Sequence, residues 1–380
     1  MTSQVSDTPA GPQMKPWIAA MHAYVPGKAK LAGRPVVARL ASNENPFGPS
    51  PDAVAAMQAV LADGHRYPDP GSVALREALA AHHGLDPARV ICGTGSDELL
   101  HMAASAFAGP GDEIIHVRHG FAVYALAAQR VGADVVVAPD RDYVADVDAL
   151  LALVTPKTRL VYLANPNNPT GTILPPAEVR RLHAGLPADV LFVLDCAYAE
   201  FVEGDYEDGL SLADGNDNVL TTRTFSKIHG LAAQRIGWGY SSAAVIDALN
   251  RVRAPFNVPT TGQAAAVAAL ADRGWVEKVR THTIEWRAWL ADVIEAANRE
   301  LMGNAGVRVI PSAANFLLLE FPEDGPCTAA AANAALMEAG ILARYLASQD
   351  MPRCLRVSIG TEDEVRAAAD ALTAFMRSCG

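Results

Sequence analysis

Residues 158–198 read TRLVYLANPNNPTGTILPPAEVRRLHAGLPADVLFVLDCAY, and the order of properties along them decides the architecture. An apolar, β-branched run (TRLVYLAN, 158–165) passes through a loop shaped by proline and glycine (NPNNPTG, 165–171) into a helical stretch (PAEVRRLHAGL, 176–186). A second apolar run, DVLFVLD at 189–195, follows. Strand, helix and strand in that order form one unit of a mostly parallel sheet covered on both faces. The same alternation extends outward from Arg89 to about Ser241. RVICG, DELLHMAASAFA, DEIIHV, FAVYALAAQRV and ADVVVAP come before it, and NVLTTRTFS and RIGWGYSS after. In such sheets ligands bind beyond the carboxyl ends of the strands, so the residues just after each strand are the candidates for chemistry.

A helical segment rich in Ala, Arg, Glu and Trp, from about Trp275 to Leu301, bridges to a second unit. There VRVIPSAANFLLLEF, ILARYL and CLRVSIG read as strands, with AAANAALMEAG and TEDEVRAAADALTAFMRS as helices. The expected fold is therefore α/β: a three-layer large domain over 41–274, and a smaller α+β domain built from 17–40 and 275–380. Residues 1–16, polar and proline-containing, form a lead that cannot bury enough apolar surface to offset ordering.

Composition narrows the function. The 380 residues, half of them apolar, are more than one core usually holds. A net charge of −11 argues against nucleic acid as the main partner, because phosphate binding along a backbone needs a basic face. Cys92, Cys196, Cys327, Cys354 and Cys379 are scattered, odd in number and without a C-x-x-C pair, which fits a reducing compartment. With no signal-peptide layout and no membrane-length apolar run, the expected location is the cytoplasm. His82-His83 and His116-x-x-His119 lack Cys or carboxylate companions in a recognised pattern, and adjacent helix side chains diverge, so no metal is expected.

Four segments carry chemistry. TRTFSKIHGLAAQRIGWGY, 222–240, places Lys227 after a β-prone run and Arg235 at the start of the next strand. A lysine nucleophile must be partly desolvated or near other cations to be neutral often enough to attack a carbonyl, and a strand end inside a cleft supplies that. DVLFVLDCAY delivers Asp195 at the mouth of a buried strand, with Tyr198 three residues on. A carboxylate there needs a cation, and a protonated pyridine nitrogen suits it, since the pair keeps the ring an electron sink. NPNNPTG projects the amides of Asn167 and Asn168, which can donate to a phenolate oxygen. ICGTGSDELL turns through glycine into a helix with Thr94 or Ser96 as N-cap, an anion site suited to phosphate but neither a Walker loop nor G-x-G-x-x-G. Taken singly, each has a plainer reading: a surface lysine, an aspartate capping a turn, an Asn-Pro turn and an ordinary helix cap.

Together these segments resemble, in order and spacing, the fold-type I pyridoxal-phosphate aminotransferases. The likeness runs from about Tyr24 to Gly360 and is nearest to the branch acting on histidinol phosphate, through AYVPGK, ASNENPFGPSP, RYPDPGS, GTGSDE, HGFAVY, NPNNPTG, DCAY, RTFSKIHGLAAQR, RAPFNVP, ANFLLLEF and LRVSIGT. The resemblance implies pyridoxal 5'-phosphate as cofactor, held covalently by Lys227, with Asp195 on the ring nitrogen and Asn168 and Tyr198 on the ring oxygen. It places Ser96, Asp97 and Glu98 at the helix start around the cofactor phosphate, with Ser226, Arg235 and Thr224. Phe121 stacks on the ring where many members carry Tyr, and Tyr67 reaches the phosphate of the neighbouring subunit, so the active form is expected to be a homodimer. Arg356 would grip the carboxylate of the amino donor, Arg344 and Tyr24 the substrate phosphate, with Asn43 and Asn315 helping to position it. Gln234 departs from the apolar residue expected before Arg235, and His229 could reach the phosphate region or shape its loop.

The implied reaction interconverts histidinol phosphate and 2-oxoglutarate with imidazole acetol phosphate and glutamate, a step of histidine biosynthesis. The same scaffold also hosts aromatic-amino-acid aminotransferases and a decarboxylase acting on threonine phosphate, and a cofactor-binding regulator without turnover is a reading from another class.

Overall fold

The computed structural model describes residues 11–21, 30–31, 35–303 and 306–379. Seven strands make the main sheet: β1 (Val90–Gly93), β2 (Glu113–Val117), β3 (Asp134–Ala138), β4 (Thr158–Ala164), β5 (Leu191–Asp195), β6 (Val219–Thr224) and β7 (Gly237–Tyr240). Their order is β1-β7-β6-β5-β4-β2-β3, and β7, antiparallel to both β1 and β6, is the exception among otherwise parallel neighbours. Successive side chains of a strand point to opposite faces. Accordingly Leu160 and Tyr162 enter one apolar cluster while Val161 and Leu163 enter the other. Both faces are covered, which is why β5 is buried at every position and reads as a continuous apolar run.

A second sheet contains β8 (Arg308–Ile310), β9 (Phe316–Glu320), β10 (Arg344–Tyr345) and β11 (Cys354–Ser358), in the order β8-β9-β11-β10, all antiparallel. In the β10–β11 pair Arg344 lies directly opposite Arg356. Its core gathers Leu317, Leu319, Leu355 and Val357 under Trp286, Leu290 and Ile294, which recur every four residues on one helix face.

That helix, Arg273–Met302, starts where the Asp272 carboxylate accepts from Trp275 N at 3.0 Å and ends at Gly303, whose φ of 55° stops it. It runs unbroken across the boundary expected at 274/275. Its first turns, Trp275, Val276 and Val279, pack with Tyr198, Phe201, Ile228 and Phe316, and its later turns enter the second core. Ala38–Arg39 pairs with Ile341–Leu342 and brings the segment around Ala41 to the same junction.

Candidate active site

The carboxyl ends of four parallel strands, with the start of β7, define one edge. Register pairs Asp195 with Ala164 and with Thr222, and pairs Gly237 with both Thr224 and Gly93. A cavity of about 270 Å³ opens there, between the main sheet and the second one. Lys227, Asp195, Tyr198, Asn168, Thr224, Ser226, Arg235, Ser96, Asp97, Phe121, Asn43, Arg344 and Arg356 all line it. Residues up to 315 positions apart in sequence are thus brought to one hollow.

Lys227 Nζ donates to Ser42 O at 3.2 Å and lies 5.9 Å from the Tyr198 ring centre. Burial first, then the Arg356 guanidinium, pull its amine down from 10.5 to about 8. Asp195 is buried and accepts from Tyr124 Oη at 2.9 Å and Thr222 Oγ1 at 3.2 Å. Burial pushes its carboxyl up to about 6, against the lowering effect of those two donors. No ion pair reaches Asp195 among the described residues, so a carboxylate faces the cavity with hydroxyl donors but no cation. Tyr198 is raised to about 12 by burial, and Arg356 and the Asn43 amide, whose Nδ2 donates to its oxygen at 2.9 Å, act in the opposite direction. Asn168 Oδ1 accepts from Arg356 Nη1 at 2.5 Å, which leaves the Asn168 amide nitrogen as its remaining hydrogen-bonding end.

At the other end of the cavity, helix Ser96–Phe107 begins after Gly95. Gly95 has φ 82°, and a Cβ on it would meet Arg235 Nη2 at 2.6 Å, so only glycine lets the guanidinium close on the helix start. Arg235 itself takes a left-handed φ of 52°, a conformation that costs roughly 1 kcal/mol or more for an ordinary side chain. Its nitrogens hold Ala232 O at 3.0 Å, Thr94 O at 3.3 Å and Ser226 Oγ at 3.5 Å, and approach Asp97 at 3.8 Å. Free N–H groups of a helix start, a guanidinium and two hydroxyls fit a phosphate. The buried, cation-free carboxylate fits a protonated ring nitrogen, and the partly neutral amine fits an aldehyde. The residues therefore suit the cofactor implied by the sequence.

Several expectations are corrected. Neither Thr94 nor Ser96 caps the helix; Gly95 occupies the N-cap and Ser96 is the first helical residue. Glu98 does not line the cavity. Its Oε2 accepts from Thr94 N at 2.6 Å, Thr94 Oγ1 at 3.0 Å and Asn257 Nδ2 at 2.7 Å, because an acid in the first turn satisfies orphan amides of its own loop. Asn315 is buried behind the cavity wall, where its Nδ2 donates to Asn43 O at 3.0 Å. His229 also lies off the cavity, packed on Phe225 at 4.8 Å, and burial lowers it to about 3. His82 and His83, at a helix end, meet edge to face at 4.6 Å instead of diverging. Gln234 keeps its polarity by accepting from Thr261 Oγ1 at 2.9 Å. Among the described residues no group of three or more His, Cys, Asp or Glu could hold a metal. Tyr67 is 81% exposed, stacked on the exposed Phe256 at 4.6 Å and away from its own chain's cavity. Tyr24 lies outside the described residues.

Sequence reasoning missed Tyr124, Thr222, Glu44 and Gln349. Tyr124 stands three residues after Phe121, on the same side of a helix start, and Thr222 two before Thr224, on the same strand face. Those spacings were the available signals. Glu44 lines the cavity from a loop and Gln349 from the end of the 3-10 turn Ala347–Gln349, and neither had such a signal.

Comparison with known proteins agrees with this geometry. Residues 35–372 match the family model of aminotransferase class I and II. The chain is 59% identical to a histidinol-phosphate aminotransferase of Sphingopyxis alaskensis, over 95% of this chain and 97% of the relative. It is 52% identical to that of Zymomonas mobilis, over 97% and 99%. A solved histidinol-phosphate aminotransferase from Sinorhizobium meliloti, in complex with pyridoxal-5'-phosphate, superposes with a TM-score of 0.88 at 31% identity, covering 98% of this chain and 100% of that one.

Proposed function

From a chain that belongs to the class I and II aminotransferases, we propose transamination between histidinol phosphate and 2-oxoglutarate, giving imidazole acetol phosphate and glutamate. It is a pyridoxal-phosphate enzyme of the fold-type I architecture. The observation that carries the reading is one cavity holding a lysine drawn down to about 8, a buried carboxylate without a cation, and a guanidinium at a helix start.

When bound, pyridoxal phosphate supplies an aldehyde that takes the amine covalently and a ring that accepts the electron pair left on Cα as its proton departs. Lys227 holds that aldehyde between turnovers and, once displaced, moves the proton between Cα and the cofactor's C4′. Asp195 keeps the ring nitrogen protonated, and Tyr124 and Thr222 hold its two oxygens in place. Asn168 and Tyr198 donate to the ring oxygen, and Phe121 covers one ring face. Ser96, Asp97, Thr224, Ser226 and Arg235 surround the phosphate. Arg356 binds the carboxylate of glutamate through its planar fork, and Arg344 with Tyr24 binds the phosphate of histidinol phosphate. Asn43 shapes the wall between them.

The test follows loss of the cofactor's colour in single half-reactions with histidinol phosphate, glutamate, phenylalanine and tyrosine. Histidinol phosphate reacts fastest of the amine donors with rings; phenylalanine ahead by tenfold, about 1.4 kcal/mol at the transition state, would reject this substrate. Arg344→Ala raises the KM for histidinol phosphate roughly 100-fold, as expected for removing one side of a buried charge pair, and affects the glutamate half-reaction far less.

A homodimer is supported by Tyr67 and Phe256, exposed aromatic side chains stacked on each other at the surface. Tyr67 then completes the neighbouring site. Mixed refolding of Tyr67→Ala and Lys227→Ala chains, read against each variant alone as the baseline, distinguishes this placement. Half the dimers are mixed and each holds one intact site, so about a quarter of wild-type activity returns if Tyr67 acts across the interface. None returns if it acts within its own chain. Separate apolar clusters under the two sheets support a large domain and a smaller one, the smaller including Ala38, Leu40 and most of the chain after Trp286, while Trp17 lies against Gly132 of the large one. A cytoplasmic location is supported by unpaired cysteines, and among the described residues no helix is long and apolar enough to cross a membrane.

A further inference from the structure

Tyr198 can serve the ring oxygen only if its single proton points into the cavity, and that depends on which end of the Asn43 amide faces it. A hydroxyl has one proton to give and two lone pairs. With Asn43 Nδ2 against the Tyr198 oxygen, at 2.9 Å, Tyr198 accepts there and keeps its proton for the cavity. With the amide turned over, Oδ1 would face Tyr198 and consume that proton. The two ends of an amide are nearly equal in size, so packing does not choose between them.

Ser358 chooses. Its oxygen accepts from the backbone N–H of Asn43 at 2.8 Å, and its own proton goes to Asn43 Oδ1 at 2.9 Å. Ser358 could also accept from the amide nitrogen, but among the described residues Asn43 Oδ1 is the one acceptor its proton reaches, so a turned amide would leave that buried proton unpaired; the oxygen end therefore faces Ser358 and the nitrogen end Tyr198. The backbone is pinned as well: Asn43 adopts φ 55°, and its carbonyl accepts from Asn315 Nδ2 at 3.0 Å. Ser358, Asn43, Asn315 and Tyr198 are each at most 3% exposed, so bulk water offers no substitute partner. Ser358 also sits two residues from Arg356 on β11, on the same face of the strand.

Resting on the reading that Tyr198 donates to the cofactor's ring oxygen, we infer that Ser358 is a positioning residue that acts through the Asn43 amide to aim the Tyr198 proton at that oxygen. The strand that brings the arginine to the substrate thereby also sets a donor on the cofactor.

The experiment is a spectrophotometric pH titration of the holoenzyme, which reads the midpoint of the bound cofactor's absorbance change and not its turnover. A donor to the ring oxygen favours the form that has lost a proton, so losing the donor moves the midpoint to higher pH. Tyr198→Phe is expected to raise it by about one unit or more. Ser358→Ala raises it by at least half as much, and Ser358→Thr, which keeps a hydroxyl, returns it toward wild type. The Ser358→Ala/Tyr198→Phe double variant shifts no further than Tyr198→Phe alone, because both act on one proton. Should Ser358→Ala fail to fold, Ser358→Cys gives the same comparison, since a thiol is too weak a donor to hold the amide oxygen. A shift for Tyr198→Phe with an unmoved Ser358→Ala midpoint overturns the inference and leaves the reading of Tyr198 standing. No shift in either overturns both.

Discussion

Lys227→Ala lowers the turnover of histidinol phosphate by about 10⁴-fold or more, the largest loss expected for any single side chain of the cavity. One nitrogen performs two tasks, covalent hold and proton transfer, and alanine removes both. The environment explains why this amine is suited to them. With burial and Arg356 holding it at about 8, roughly a quarter of the amine is neutral at pH 7.5, against about one part in a thousand for an exposed lysine. The sign is testable. Neutral amine increases as pH rises through 8, so covalent uptake of pyridoxal phosphate by the cofactor-free wild type accelerates with a midpoint near that value. Lys227→Ala shows no such uptake. A variant that kept a hundredth of the wild-type single-turnover rate would remove Lys227 from the mechanism proposed above.

Asp195→Asn, which keeps shape but not charge, lowers the rate and the affinity for the cofactor. Breaking a buried ion pair costs about 3–5 kcal/mol, so the combined loss is expected at roughly 10²–10³-fold. Burial holds the Asp195 carboxyl near 6, and Tyr124 and Thr222 favour its charged form. As pH falls through that value the carboxylate takes up a proton and its attraction for a ring cation disappears. Cofactor binding by the stripped wild type therefore weakens on the acid side of about 6. In Asp195→Asn binding is already weak and that acid limb is absent. Equilibrium dialysis at pH 5, 6 and 7.5 checks both statements, and an affinity within tenfold of wild type at pH 7.5 would contradict them.

Most strands of the main sheet were legible as short apolar runs bounded by turn residues, with β6, VLTTRT, β-branched but largely polar, and strand ends are where chemistry collects in such sheets. Asp195 and Lys227 stood out for that reason: each is a polar group following a run that must be buried. What could not be read were choices between partners remote in sequence. Glu98 could face a ligand or its own loop, and Asn257, 159 residues away, helps to settle it. Tyr124 reaches Asp195 across 71 residues. Asn315 carried the right chemistry for a ligand, yet the backbone of Asn43 stands in front of it. His82 and His83 show the same limit at short range: they leave the helix about 100° apart, yet their rings turn to meet, and His83 also packs on Trp238 at 5.1 Å.

The facing of Arg344 and Arg356 across β10 and β11 carries a consequence for selectivity. Directly paired residues share one face of the sheet, and like charges placed so repel each other. An anion lodged between the two guanidinium groups meets both charges at once, whereas an amino compound with a neutral tail gains from neither. Two short strands of one sheet thus deliver a pair of cations to a single hollow, and preference for a phosphorylated or carboxylated guest over an uncharged amine is written into their register.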